Sequence, residues 1–521
     1  MNKRIVQSSE QTKLNVAKLA ELFPHIITEV RAEDGAFRQV VDLELLKREF
    51  SGYIAEREGG MERFQLSWPG KKQAMLAANQ LPAGHTLVPV EAESVSWDTT
   101  GNLYIEGDNL LALQLLQASY ADKVKCIYID PPYNTGKDFI YKDDYKQSSE
   151  QYLKMSGQID GKGKRLLHDT ESSGRFHSDW LTEMYPRLQL ARPLLRGDGV
   201  IFISIDDREQ AHLRLICDEI FGSGNFVANL VWANKEGGGG SDSKFFRVKH
   251  EYILCYAKSI DQLTVKGVGI SNEGRYTMQD EYVGRRGKYY LQKLNQASIQ
   301  YSKSLDYAIQ APDESEIWPS RGNKLACWRW SESKLAWGMA NGFIVIKQDH
   351  YGDWQVYSKQ YMHVDNKDQP IVRTNRPLGL IEEYSSTQAC KKLEQLFGEK
   401  VFDYSKPLEL ILFLLGLTME ADDIVLDYYS GSATTAHAVM QLNAEDGARR
   451  RYIMVQLPEE TAEGSEASRA GYANICEIGK ERIRRAAAKV QEETGAEIDD
   501  GFRVYRVEFE SGEKVSASVT T

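Results

Sequence analysis

Three runs of β-forming apolar residues, "VKCIYI" at 124–129, "VIFISI" at 200–205 and "IVL" at 424–426, stop on aspartates: Asp130, Asp206 and Asp427. Strands without polar alternation are buried on both faces, so helices must cover both sides of the sheet they join. Segments with helical spacing supply that cover: Leu110 to Leu116, "SDWLTEMYPRLQLARPLL" (178–195), "KPLELILFLLGL" (406–417), "AHAVMQLN" (436–443) and "ICEIGKERIRRAAAKVQEE" (475–493). Strands alternating with helices predict an α/β fold with a doubly wound, mostly parallel sheet.

The alternation is interrupted. After a glycine-rich break, "NKEGGGGSDSK", and one more strand, "KHEYILCYAK", the chain from about 259 to 400 turns irregular and rich in tryptophan and tyrosine. The expected organisation is a mainly helical N-terminal extension over 1–95, one α/β half over 96–258, an inserted domain over 259–400, and the second half over 401–521. With 521 residues the chain is too long for one ordinary core.

Composition narrows the class. Six cysteines stand singly, without metal-ligand or CxxC spacing, so reduced thiols are expected and no metal site. The longest apolar run, "LELILFLLGL", contains Glu409 and is too short to span a bilayer. The first residues, "MNKRIVQSSEQTK", lack the apolar stretch of a signal peptide, so a cytoplasmic protein is expected. A net charge of -11 argues against non-specific coating of nucleic acid. A local exception runs from Lys235 to Lys303, where 12 Lys/Arg face 7 Asp/Glu and "RYTMQDEYVGRRGKYY" interleaves arginines with tyrosines. Such a run is ordinarily a solvated face; in a DNA enzyme it is a candidate phosphate-contacting surface.

In open α/β sheets ligands bind beyond the carboxyl ends of the strands, where Asp130 and Asp427 stand. Asp427 opens "DYYSGSATT", a turn of small residues leading into a helix, which suits either a ligand close to the backbone or a helix cap. "DPPY" at 130–133 is more specific. Two prolines remove two amide donors and fix two φ angles, holding the flanking groups rigidly. Asp130 and the Pro131 carbonyl can accept both hydrogens of an exocyclic NH2 group while Tyr133 stacks on its ring. Such bonds, holding the nitrogen toward tetrahedral geometry, restore the nucleophilicity that conjugation removes.

"DPPY" resembles the catalytic motif of S-adenosylmethionine-dependent methyltransferases acting on amino groups of DNA bases. Its position upstream of "DYYSGSATTAHA" resembles their circularly permuted β group, in which a target recognition domain interrupts a Rossmann-like methyltransferase domain. "IEGDNLLAL", "IDPPYNTGKDFIY", "GRFHSDWLTEMYPRLQLARPLL", "GVIFISIDD", "KPLEL" and "KERIRRA" are similar to the modification subunit of type III restriction-modification systems. The match covers about 100–258 and 400–510.

The resemblance implies that Asp130, Pro131, Pro132 and Tyr133 hold a flipped-out base, and that Asp108, Asn109, Lys406, Asp427, Tyr429, Ser430, Gly431, Ser432 and Thr434 surround S-adenosylmethionine. Asp108 is equally an N-cap. Gln456 and Glu459 are the alternatives for the ribose hydroxyls. Ala433 departs from the family pattern, which has glycine there; its methyl is expected to pack under the turn. The implied activity is methylation of adenine N6 in a specific sequence of double-stranded DNA, with cytosine N4 methylation or a catalytically impaired specificity subunit as alternatives. A homodimer working beside a helicase-nuclease restriction subunit is implied as well. The loop from Lys137 to Phe176 is long enough to close over the base and could equally be a surface excursion, and the lone histidines, His177 and His437 among them, are expected to be structural.

Overall fold

Strand period decides where the core lies. Along Val124–Ile129, Ile127 and Ile129 point into one apolar cluster and Cys126 and Tyr128 into another, so the strand is buried on both faces as its composition requires. The computed structural model describes residues 66–135, 171–235 and 245–509, apart from short gaps at 81, 83, 271–272, 296–299 and 321–324. It also describes a hairpin of Ile27–Arg31 with Phe37–Val41 and a few isolated positions before residue 66. Most of the expected closing loop and the glycine-rich break lie outside the described residues.

The chain forms two compact units, Met1–Lys266 with Leu378–Thr521, and Gly267–Pro377. The larger contains strands β1 (His85–Pro89), β2 (Leu103–Glu106), β3 (Val124–Ile129), β4 (Leu195–Ile205), β5 (Phe226–Trp232), β6 (Glu251–Ala257), β7 (Leu380–Ile381), β8 (Ile424–Asp427), β9 (Arg451–Gln456) and β10 (Arg503–Phe509). They form one ten-stranded sheet in the order β7-β5-β6-β4-β3-β8-β9-β2-β10-β1. The run from β4 to β10 is parallel, whereas β6 and β1 are antiparallel to their neighbours.

Helices cover both faces. On one lie α1 (Asn109–Tyr120), α2 (Glu171–Leu194) and α3 (Gln210–Cys217); on the other lie α5 (Leu408–Thr418), α6 (Thr434–Asp446) and α7 (Ile475–Thr494), with α4 (Ser386–Phe397) against α7. From β3 the chain crosses through α2 to β4; from β8 it crosses through α6 to β9, on the opposite side. The reversal falls between β3 and β8 and opens a crevice at their carboxyl ends.

Two differences from the sequence reading stand out. The N-terminal segment, read as mainly helical, also supplies a hairpin and the edge strand β1. The insertion, read as 259–400, corresponds to a compact unit at 267–377, because β7 pairs with β5 and α4 packs on α7. A two-residue strand and a lone amphipathic helix carry no mark of the sheet that receives them.

The smaller unit has a three-stranded antiparallel sheet, Tyr289–Lys293, Trp354–Tyr361 and Ile344–Gln348, over a core containing Trp328, Trp330, Phe343 and Tyr361. One arginine of the basic run serves that core, while Arg275 and Arg285 stay exposed. Arg286 is 3% exposed, pairs with Asp368 and lies over Tyr282 and Phe343; Arg285 also pairs with Asp368, and Arg275 stacks on Tyr290. Lys288 stays exposed.

One ionic cluster ties the far edge of the sheet. Lys480 of α7, fully buried, reaches Glu106 and Glu477 at 2.7 Å each and also Glu93, while Arg506 of β10 bonds Glu106 at 2.8 Å. Burial alone would lower the Lys480 pKa; its bonds to Glu106, Glu477 and Glu93 outweigh that and hold it above the ordinary value. Removing one partner of such a group strands the others in low dielectric. Lys480→Met is expected to destabilise the large unit by roughly 3–5 kcal/mol in denaturant titration, with part recovered in Lys480→Met/Glu106→Gln.

Candidate active site

Asp130 follows β3 directly, and its charge is met across the crevice. Lys406, just before α5, places Nζ 2.9 Å from Asp130 Oδ1 and donates to Tyr133 OH at 2.8 Å. The same ammonium lies 3.4 Å from Glu251 Oε2, to which Tyr133 OH donates at 3.1 Å. Asn234 Nδ2 donates to the other Glu251 oxygen at 2.5 Å. Because β6 is antiparallel, its first residue, Glu251, stands at the edge where β3 ends. Burial raises the Asp130 pKa, opposed by the Lys406 charge; burial would lower that of Lys406, but Asp130 and Glu251 raise it. The two side chains are held as an ion pair at 2.9 Å.

The proline pair behaves asymmetrically. The Pro132 carbonyl accepts from Trp180 Nε1 of α2 at 2.7 Å, whereas the Pro131 carbonyl accepts no hydrogen bond among the described residues. The motif thus keeps one carboxylate and one carbonyl as open acceptors with the Tyr133 ring beside them. Asn134 follows with φ of 58°, a left-handed conformation asparagine tolerates better than most residues. Its amide donates to Glu209 Oε1 at 2.6 Å. His177 Nδ1 and His212 Nδ1 flank the same fully buried carboxylate at 2.5 and 2.9 Å. Burial pushes Glu209 up, but bonds from His212, Asn134 and His177 prevail and hold it below the usual range. His177 therefore supports the loop after the motif.

The second strand end is built around Asp427, 3% exposed, whose Oδ1 accepts from the Tyr429 amide at 3.1 Å and Oδ2 from Thr435 Oγ1 at 2.6 Å. Gln456 Oε1 accepts from the Gly431 amide at 2.7 Å. Arg482 of α7 braces the turn from beneath, donating to Ser432 Oγ at 2.8 Å, Thr434 Oγ1 at 2.7 Å and Ser405 Oγ at 3.0 Å. Ser430 is buried, and its amide bonds the Val455 carbonyl at 3.2 Å. Tyr429, also buried, donates to Met184 Sδ at 3.5 Å. Ala433 is fully buried with φ of 61°, and its methyl packs in the apolar cluster under the turn, as expected. Glycine enters that left-handed conformation without strain, and the buried methyl, worth about 0.8 kcal/mol, offsets part of the cost.

Other expected site residues divide by what already occupies them. Asp108 caps α1, Oδ1 accepting from Leu110 and Leu111 amides at 2.7 and 3.2 Å; its Oδ2 lies 3.5 Å from Arg187 Nη2. Asn109 is buried, accepting from Arg187 Nε at 2.5 Å and donating to the Tyr428 carbonyl at 2.8 Å, so it ties α1 to α2 and the turn after β8. The Gln456 amide nitrogen bonds the Leu457 carbonyl at 3.2 Å, leaving its side chain committed at both ends. Glu459, half-buried beyond β9, has a carboxylate without a partner among the described residues, and burial raises its pKa. Glu251, Trp180, Arg187, Glu209 and Arg482 were not assigned from sequence. A charge opening the apolar strand "EYILCYA" was the one signal available for Glu251.

Comparison with known proteins bears on the same residues. Residues 124–487 match the DNA methylase family. The chain is 34% identical over 516 residues to the Mod subunit of the type III restriction-modification enzyme EcoPI of Escherichia phage P1, covering 94% of this chain and 77% of that protein. It is 36% identical over 451 residues to the StyLTI Mod subunit of Salmonella typhimurium, covering 85% of this chain and 66% of that one. Among solved structures, the cytosine-N4-specific PvuII DNA methyltransferase aligns over 74% of this chain and 94% of its own at 14% identity, with a TM-score of 0.33. No helix among the described residues is long and apolar enough to cross a membrane.

Burial pushes the Asp427 carboxyl up to about 7, against the pull of Thr435 and the Tyr429 amide. A carboxylate whose pKa is higher folded than unfolded, where it is about 3.9, takes up a proton on folding. Its contribution to stability is therefore largest below the unfolded value and falls as pH rises towards 7. Denaturant titrations between pH 4 and 7 should show this decline in the wild type relative to Asp427→Asn, which lacks the titrating group.

Proposed function

The chain belongs to the DNA methylase family and, within it, to the Mod subunits of type III restriction-modification enzymes; on that premise we propose that it moves a methyl group from S-adenosylmethionine to adenine N6 within one short sequence of double-stranded DNA. The observation that carries this reading is the strand-end pair of acceptors, the Asp130 carboxylate paired with Lys406 and the unbonded Pro131 carbonyl, beside an aromatic ring.

The residues fit the cofactor. At the crevice between β3 and β8 stands the small-residue turn, where a Cβ on Gly431 would meet nothing nearer than Phe402 at 3.6 Å. Asp427 holds this turn shut, and the Tyr429–Ser432 backbone would line the methionine part, with Lys406 towards its carboxylate. Asp108 Oδ2 would take the adenine amino group. Glu459, the unpartnered carboxylate, would hold the ribose hydroxyls in place of Gln456, which is committed to the turn. S-adenosylmethionine supplies a methyl already activated on a sulfonium, so the protein needs to position rather than force the reaction.

The target base has to leave the helix, at a cost of a few kcal/mol. Tyr133 recovers part of this by stacking, its hydroxyl pinned by Lys406 and Glu251. Asp130 and the Pro131 carbonyl hold the amino hydrogens, and Trp180 keeps the second proline carbonyl from competing. Asp130, kept ionised by Lys406, is then the base on hand for the proton released as nitrogen gains the methyl. The unit Gly267–Pro377 is assigned to target recognition. A cytoplasmic homodimer working beside a restriction subunit completes the reading.

Incubation with plasmid DNA and methyl-labelled S-adenosylmethionine, followed by sequencing for modified bases, tests the proposal. Label should appear on adenine in one motif and fall at least about a hundredfold in Asp130→Ala; label on cytosine N4, or none, would overturn it. Glu459→Gln should raise KM for S-adenosylmethionine by about tenfold or more, the scale of a lost charge-assisted bond, with KM for DNA unchanged. In Lys406→Met the Asp130 pKa should rise, moving the acid limb of the pH–rate profile to higher pH, while Lys406→Arg keeps it in place.

A further inference from the structure

Two buried cations on α7 are treated in opposite ways. Lys480 is surrounded by three carboxylates. Arg482, two residues on and 4% exposed, has no carboxylate partner among the described residues. All its hydrogen bonds leave from Nη1, to Ser405, Ser432 and Thr434; Nε and Nη2 have no partner among the described residues. Arg482 also lines a cavity of about 310 Å³ enclosed by α4, α5, α6 and α7. His437, 7% exposed, lines it too, and its buried Nδ1 is likewise without a partner.

The rest of the lining sharpens the contrast. Leu393, Leu396, Leu408 and Leu412 form apolar walls. The carboxylates present, Glu409 and Glu493, are engaged by Lys392 and, at 3.7 Å, by Lys489. The Lys406 ammonium is directed to Asp130 and Glu251. The guanidinium is thus the uncompensated charge of the cavity. Burial holds its pKa down to about 9, a measure of the missing counter-charge.

We propose that this cavity is a second binding site, for a small organic oxyanion whose carboxylate or phosphate head is taken by Arg482 and whose apolar body lies against the leucines. The volume is at the low end for small-molecule sites. The guanidinium nitrogen Nη2, without a hydrogen bond among the described residues, offers a charge-assisted bond to an oxyanion head. None of the residues expected around the methyl donor lines the cavity except Lys406. Coupling follows from Nη1: an anion that neutralises Arg482 and fixes its plane also firms the turn at Ser432 and Thr434. That coupling, though not the binding itself, rests on the proposed cofactor role of the turn.

Isothermal titration calorimetry of the full chain with phenyl phosphate and benzoate, and with neutral benzamide as control, tests this without requiring catalysis. Both anions should bind and benzamide should not; each should tighten S-adenosylmethionine binding at least about fivefold. Arg482→Lys, which keeps the charge and removes the Nη2 donor, should weaken anion binding. Gln441→Trp, at the cavity mouth, should block it without disturbing the buried turn. Equal binding of benzamide, anion binding that survives Gln441→Trp, competition with S-adenosylmethionine, or no binding would each overturn the proposal. Loss of methylation activity with anion binding intact would count against the functional reading alone.

Discussion

The ammonium of Lys406 is the interaction on which the crevice depends. It draws together Asp130 after β3, Tyr133 three residues on, and Glu251 at the start of β6, while itself standing ahead of α5. These segments come from both sides of the insertion, so the charge closes a site assembled from two separated halves of the chain. Burial raises the Asp130 pKa, and the Lys406 charge opposes that rise and favours the carboxylate at its place in the crevice. Glu251 acts in the other direction on Asp130, its negative charge raising the Asp130 pKa while it shares the Lys406 ammonium at 3.4 Å.

Around this centre the structure spends its buried polar groups on rigidity. Trp180 holds one proline carbonyl, Glu209 holds Asn134, and Arg187 joins Asp108 to Asn109. The turn after β8 is braced from three directions, by Asp427 through Thr435, by Gln456 at Gly431 and by Arg482 at Ser432 and Thr434. Positioning of this kind suits a reaction whose methyl donor is already activated, because geometry then limits the rate. The one brace with an unsatisfied charge is Arg482, and it faces a cavity rather than a partner.

Legibility in the sequence followed locality. The strands at 124–129, 200–205 and 424–426 and the helices between them were readable because burial on both faces, or on one stripe, is written in neighbouring residues. "DPPY" was readable because two prolines beside an aspartate and a tyrosine restrict the backbone wherever they occur. Gln456 and Glu459 were not separable, since both follow the same strand and only the turn's demand for an acceptor at the Gly431 amide commits the first. The arginines near 285 read as a solvated face, or in a DNA enzyme as a phosphate surface, yet Arg286 is consumed by Asp368, more than eighty residues away in the chain.

What the sequence determined by itself was a doubly wound sheet with a rigid carboxylate-aromatic motif at one strand end and a small-residue turn at another, because strand burial, helix spacing and proline restraint act over a few residues. Tertiary structure alone decided that those strand ends are neighbours across the switch between β3 and β8. It also decided that Lys406 and Glu251 set the charge state of Asp130, and that Asn109 and Gln456 brace the crevice while Glu459 stays open. The physical reason is range: a buried charge is set by whatever packs against it, and for Asp130 those groups, Glu251 and Lys406, lie more than a hundred residues away.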